Sequence, residues 1–383
     1  MKSNIKMIAI TLPMLVILIS CSNTDDSIED TALPVPIVDI TKTETLGRNI
    51  YFDTNLSQPA VLSCASCHEP DAGFASPVHS IPVSQGAHPE RFGNRNAPTS
   101  AYASFVPDLH YDDAIGGYVG GLFLDGSATN LKEQAKGPFL NPLEMALPDA
   151  EAVVDVVANS NYAELFKEVY GESIFDNTNT AFDNIAEAVA IYGSTGALNR
   201  FDSKYDYYLN GEAVLNPSES RGLELFQNKA KCVTCHNMNS KVEGNHSIFT
   251  DFTYDNIGVP ANPNNPFYTI SQEFNPDGMA YVDLGLGGNV KDTKENGKFR
   301  VPTLRNIAVS SPYMHNGVFN TLEEVLSFYN SIGTGNEPTP EVSENINHTE
   351  LANLNLSSSE ITDIVAFLNT LTDRYKTTGK ETK

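Results

Sequence analysis

Positive charge is scarce in this chain. Its 383 residues carry 24 Lys and Arg against 48 Asp and Glu, a formal net charge of −24 with a pI near 4.6. So few cations exclude nucleic acid as a partner, because neutralising phosphates takes clusters of Lys and Arg. A basic protein partner stays open through electrostatic steering, beside the plainer role of a solvated acidic surface. Long apolar runs are missing too. The run Met7 to Ile19 is too short to span a bilayer comfortably, and no other segment is long and apolar enough to cross one. Hydrophobic residues are not lacking: at 40% they suffice for a full core and argue against disorder.

The short N-terminal run has the pattern of an export signal, with Lys2 and Lys6 as its basic start. It ends in Leu-Ile-Ser-Cys, which resembles the bacterial lipoprotein processing box and makes Cys21 the expected lipidated residue. Residues 1–20 are then a leader. Residues 21–42, acidic and then Pro-rich, read as a flexible tether. The expected location is the cell envelope, periplasm or outer surface, with a lipid anchor as the membrane contact.

The other four cysteines fall in CASCH (64–68) and CVTCH (232–236). C-x-x-C-H is the attachment signature of c-type haem. Two thiols on one helical turn reach the two vinyl groups of a porphyrin edge, and the adjacent His ligates iron from one side. Zinc would need four ligands per site, and neither pair has a second C-x-x-C close by. A thioredoxin-type redox site would not repeat with His in the same place. Cys64, Cys67, Cys232 and Cys235 are therefore expected to hold two covalent haems, with His68 and His236 as proximal ligands.

Helix signals surround both motifs. Asn216, Pro217 and Glu219 open a helix before the second, and TLGRNIYFDTNLS enters the first. Between them, caps and stops mark helices from Asn130 with Glu133, from near Asn161 to Gly171, and over 180–193. Thr321 with Glu324 starts a helix at Leu322. Ser357 with Glu360 starts the last one, stapled by Leu356 and Ile361. Residues 240–300 read as a long Asn-, Gly- and Pro-rich loop. The expected fold is mainly α, with two cytochrome c-like haem domains packed about a shared interface: residues 43–210 and 211–383, joined by FDSKYDYYLNGEAVLNPSES.

Several blocks, in order and over nearly the whole chain after the tether, resemble the bacterial di-haem cytochrome c peroxidase and MauG family. They include GNRNAPTS, GGLFLDGSATNLKEQAKGPFLNPLEM, GLELFQNKAKCVTCH and KFRVPTLRNIAVSSPYMHNG. The resemblance implies that the N-terminal haem reacts with hydrogen peroxide and the C-terminal haem relays electrons. The donor would be a small redox protein such as a c-type cytochrome or cupredoxin. It implies that Glu144 is the distal acid, moving a proton between peroxide oxygens. His88 matches a His that ligates the resting peroxidatic iron, with His79 as competitor. Asn96 matches a calcium ligand, joined by backbone carbonyls at Ser310 and Pro312. Homodimers are common among relatives. Two departures stand out: Leu124 replaces a Trp between the haems, and Ser127 stands where Arg is common. The chain has no Trp to take that place.

Tyr329 can be read in two ways. With Leu322, Val325 and Leu326 it shares one helix face, so periodicity alone makes it a core aromatic. The resemblance puts an axial ligand fourteen residues beyond His315, which is Tyr329: Met in peroxidases, Tyr in MauG. A thioether raises the iron potential and a phenolate favours higher oxidation states. Met314 reads as packing and His315 as a neighbour of the propionates or the interface. Met238 and Met279 stay open as ligands. Three functions follow: a peroxidase, a MauG-like oxidase of a protein or small substrate, or a non-catalytic electron carrier or sensor.

Overall fold

The computed structural model describes residues 40–239, 241–242 and 246–376. The leader, Cys21 and most of the tether lie outside these residues. Eleven helices follow in order among them: α1 (Ile40–Tyr51), α2 (Cys64–Cys67), α3 (Leu131–Leu140), α4 (Ala150–Ala158), α5 (Ala163–Tyr170), α6 (Thr178–Gly193), α7 (Lys204–Leu209), α8 (Pro217–Gln227), α9 (Leu286–Val290), α10 (Leu322–Ser331) and α11 (Ser358–Asn369). Strands are short and form three antiparallel pairs: β1 (His110–Asp112) with β2 (Gly117–Val119), β3 (Lys241–Val242) with β4 (His246–Ser247), and β5 (Tyr254–Asp255) with β6 (Phe299–Arg300). No helix among the described residues is long and apolar enough to cross a membrane.

The caps work as their chemistry requires. Asn130 accepts from the Glu133 amide, while Asn216, Thr321 and Ser357 each close a full capping box with a Glu. Three helices differ from the sequence expectation. Helix α5 is capped at Tyr162, just past Asn161, and α6 starts two residues early because Asn177 accepts from the Thr180 amide. Helix α4 had no counterpart in the sequence reading. Its apolar residues are mostly Val, a strand former, yet the Asp149 cap and burial of Val153, Val154 and Val157 decide for helix. The expected 240–300 loop holds β3 to β6, α9 and several 3₁₀ turns.

The two halves repeat one plan. Helix α1 packs on α6, and α8 packs on α11. Each crossing is closed by a glycine: a Cβ at Gly47 would collide with the Ala188 carbonyl, and one at Gly222 with the Asp363 carbonyl. One core gathers Leu46, Phe139, Val157, Phe166 and Ile185. A second gathers Phe226, Phe249, Leu326, Ile364 and Phe367. A third joins the halves, placing Tyr51, Phe74 and Tyr102 against Ile248, with Phe252 beside them.

Polar contacts reinforce the seam. Arg95 donates twice to Asp283, at 2.6 and 2.7 Å. Tyr102 Oη donates to Asp373 at 2.8 Å, and the Asn96 amide donates to the His315 carbonyl at 2.7 Å. The described residues belong to one compact unit.

Candidate functional site

The repeat extends to both cysteine motifs. Cys64–Cys67 is one α-turn and Cys232–Thr234 one 3₁₀ turn, and each following histidine amide donates to the carbonyl of the first cysteine, at 2.9 and 2.8 Å. His68 Nδ1 lies 3.2 Å from the Phe74 carbonyl, and His236 Nδ1 3.0 Å from the Phe249 carbonyl. A carbonyl only accepts, so Nδ1 carries the proton and Nε2 keeps its lone pair. Burial holds both imidazoles below their usual pKa, hence neutral.

Phe74 and Phe249, which present these carbonyls, both sit in the left-handed region, at φ 60° and 54°. Each turn is braced alike: Thr99 Oγ1 donates to Gly73 O and Thr303 Oγ1 to Ile248 O, both at 2.6 Å.

The residues fit haem c. All four cysteines are unpaired thiols. Burial pushes Cys64, Cys232 and Cys235 up to about 12 and Cys67 to about 11, so all four are protonated thiols at neutral pH. Asp255 and Glu350 lie with Cys235 in a group whose ligand atoms are within 4.8 Å of one another. The C-x-x-C-H motif assigns that sulfur to haem attachment, so the group is not read as a second metal centre.

Glu144 lies near the first cysteine pair. It follows α3 in a tight loop where Asn141 Nδ2 donates to Glu144 Oε1 at 2.8 Å and Asn141 Oδ1 accepts from the Leu143 amide at 3.0 Å. Burial raises the carboxyl above its usual pKa, with the Asn141 bond opposing. The carboxylate is near enough to add to the burial-driven rise of both Cys64 and Cys67. Asn141 was missed from sequence, although Asn-Pro opening an Asx-type turn is a legible signal.

The Ala87 amide donates to the Glu144 carbonyl at 2.7 Å, which ties the His88 loop to the Glu144 loop. His88 is half-buried, and its imidazole has no hydrogen bond among the described residues. His79 is engaged elsewhere, with Nδ1 2.7 Å from the Ser311 carbonyl.

Tyr329 is half-buried on α10 and packs on the second core. Its phenol is raised well above the usual value by burial, then by Cys235 and Cys232, so it faces the second cysteine pair. Met314 packs near Val259 and Phe328. His315 is buried, stacks on Phe299 at 3.8 Å, and sets Nε2 3.3 Å from Glu341 Oε2 at the seam. Met238 packs beside the second core, while Met279 is 68% exposed and is no ligand.

Leu124 is buried with φ 65°, and its carbonyl accepts from the Arg300 amide at 2.8 Å. Ser127 is exposed. Asn96 donates Nδ2 to the Pro82 carbonyl at 3.0 Å. Its Oδ1, like the carbonyls of Ser310 and Pro312, accepts no hydrogen bond among the described residues.

Two helical cores, each with a C-x-x-C-H turn and a braced proximal histidine, define a di-haem c-type cytochrome. The chain belongs to the di-haem cytochrome c peroxidase family, whose family model, described as "Di-haem cytochrome c peroxidase", matches residues 41–214. It is 39% identical to methylamine utilization protein MauG of Paracoccus denitrificans over 86% of this chain and 88% of that one. It is 33% identical to cytochrome c551 peroxidase of Nitrosomonas europaea over 85% and 79%.

Among solved structures, the di-haem peroxidase BthA of Burkholderia thailandensis superposes with a TM-score of 0.76 at 32% identity, over 87% of this chain and 86% of that one. A tyrosine-to-methionine variant of BthA reaches 0.78 with the same identity and coverage. The fold is therefore mainly helical with two cytochrome c-like domains, the cofactors are haem, and the chain is an oxidoreductase.

Proposed function

We propose that this protein is a di-haem c-type peroxidase, reducing hydrogen peroxide to two waters with two protons and two electrons from a small redox protein. Cys64 and Cys67 would hold one haem with His68 on its iron; Cys232 and Cys235 would hold the other, with His236 and Tyr329. Bound there, the haems supply one-electron transfer and the iron at which peroxide is reduced. The domains would divide near residue 210.

The observation that carries this reading is Glu144. A carrier needs no half-buried acid beside the haem-binding cysteines. Asn141 fixes Oε1, which leaves Oε2 to hold a proton and move it from one peroxide oxygen to the other, so that the departing oxygen leaves as water. A carboxyl raised by burial is closer to the operating pH and both takes and gives a proton readily. Phe139, Met145 and Leu147, on either side of Glu144 in the chain, are buried in the first core and anchor its loop.

His88, with no other partner, would ligate the resting peroxidatic iron and leave on activation. Replacing it with Gly should change the resting absorption and spin-resonance spectra. Asn96 Oδ1 and the carbonyls of Ser310 and Pro312 would hold calcium, a cation that favours such free oxygens. The C-x-x-C-H motifs call for export, since haem is attached outside the cytoplasm; Cys21 would carry a lipid. A homodimer follows by analogy with relatives alone.

A second reading, a MauG-like oxidase of a protein or small molecule, is favoured by Tyr329 facing the second cysteine pair and by Leu124. The test is turnover with reduced c-type cytochrome or ascorbate in wild type and Glu144→Gln. A loss of about 10²–10⁴-fold supports the peroxidase. No turnover with any donor, with a long-lived oxidised spectrum after peroxide, supports the oxidase.

A further inference from the structure

The molecule buries several arginines at and near the seam, and one of them lacks an anion. Arg95 is held by Asp125 and Asp283, and Arg305 by Asp206. Arg300, on β6, is 8% exposed, its Nε is enclosed without a partner, and no hydrogen bond or ion pair engages its side chain among the described residues. The neighbouring oxygens bond to other groups and none engages it. Arg95 engages Asp125 and Asp283, while Asp255 accepts from Asn347 at 2.7 Å. Tyr254, which faces Arg300 across the β5–β6 ladder, donates its hydroxyl to the Gly120 carbonyl at 2.6 Å. Burial accordingly pulls the guanidinium below its usual pKa.

Such a cation is costly to bury alone, by several kcal/mol after relaxation. Its position says which anion is missing. The Arg300 amide is fixed to Leu124 O, and two residues on, the Pro302 backbone is one of the groups that contact the His236 imidazole. The side chain is thus anchored at the seam, beside a proximal histidine loop. A haem c attached at either motif brings two carboxylates on flexible arms, and a guanidinium fork matches a carboxylate with two parallel hydrogen bonds.

We infer that Arg300 is the partner of a haem propionate at the seam, tying one porphyrin edge to the Leu124 segment. The inference rests on the two-haem reading. A cation held there favours the reduced, less positive iron, so Arg300 sets the potential of the haem it binds as well as its position.

The experiment compares holoprotein of wild type, R300K and R300Q. Haem content is counted by pyridine haemochrome, each haem is titrated by spectroelectrochemistry, and the propionate bending bands are read by resonance Raman. R300Q should lower one midpoint potential by up to the equivalent of a tenfold change in oxidised-to-reduced ratio, about 59 mV for one electron. R300K should keep most of the potential but shift the propionate band, since an ammonium cannot form the fork. The haem whose potential and band move is the one bound. If R300Q does not accumulate, the Raman band of R300K decides. Two haems with unmoved bands and potentials overturn the inference alone. A wild-type chain without haem c overturns the cofactor reading and the inference with it.

Discussion

Arg305 is closed off from solvent and gives both terminal nitrogens to one carboxylate, that of Asp206, at 2.5 and 2.8 Å. Its Nε donates to the Ser247 carbonyl, and its guanidinium lies over the rings of Tyr102, Phe201 and Phe249. The pair joins α7 to the loop that braces His236, with an N-terminal aromatic across the seam.

Removing one partner leaves the other charge buried and unpaired, so Asp206→Asn should destabilise by roughly 3–5 kcal/mol. Burial opposes ionisation of Asp206, but the Arg305 bonds and charge outweigh it and hold the carboxyl at about 2, against 3.8 ordinarily. The depressed value means the stabilisation is present above the ordinary carboxyl range and is lost as pH falls through about 2. Melting temperatures of wild type and variant should differ at neutral pH and converge on acidification.

Gly47 and Gly222 should not tolerate a methyl group. In an exposed helix Gly→Ala stabilises by about 1 kcal/mol. Here the added Cβ meets a fixed backbone carbonyl of the crossing helix, and overpacking of about 1–3 kcal/mol or more reverses the sign. Gly196→Ala, with nothing near its Cβ, is the control and should melt like wild type.

Glu144→Gln should separate activity from stability. Because burial raises the folded carboxyl, the folded state holds its proton more tightly than the unfolded one. That contribution is complete below the ordinary carboxyl range and is lost as pH rises through the raised value. The variant should therefore match wild type at low pH and melt higher at neutral pH, while losing peroxide turnover. A denaturation series against pH reads this directly.

Tyr329→Met should raise the potential of one haem if position 329 is an axial ligand, since a thioether favours the reduced iron. Tyr329→Phe should change that haem's absorption spectrum. An unchanged spectrum in the Phe variant returns Tyr329 to the core, where α10 already packs Leu322 and Leu326.

Local chemistry was legible in the sequence. Asn130, Asn216, Thr321 and Ser357 cap helices through bonds spanning two to three residues, and C-x-x-C-H states its purpose in five. Long-range polar pairing was not. Asp206 and Arg305 lie 99 residues apart, and Arg95 and Asp283 188 apart, with nothing nearby naming either partner. The Phe74 and Phe249 carbonyls are backbone atoms whose role depends on a left-handed turn. Helix α7 lies in the segment that reads as a bridge because half of its six residues are Tyr, which propensity does not assign to helix; the Ser203 capping box and burial of Tyr205 and Asp206 do.

The central claim is that the two halves together reduce peroxide with external electrons. It is tested most directly by mixing the holoprotein with hydrogen peroxide and a reduced c-type cytochrome while following both. The account predicts steady turnover with two donor equivalents oxidised per peroxide consumed, abolished in Glu144→Gln. Peroxide that disappears without oxidising any donor, or turnover that survives Glu144→Gln unchanged, would contradict it.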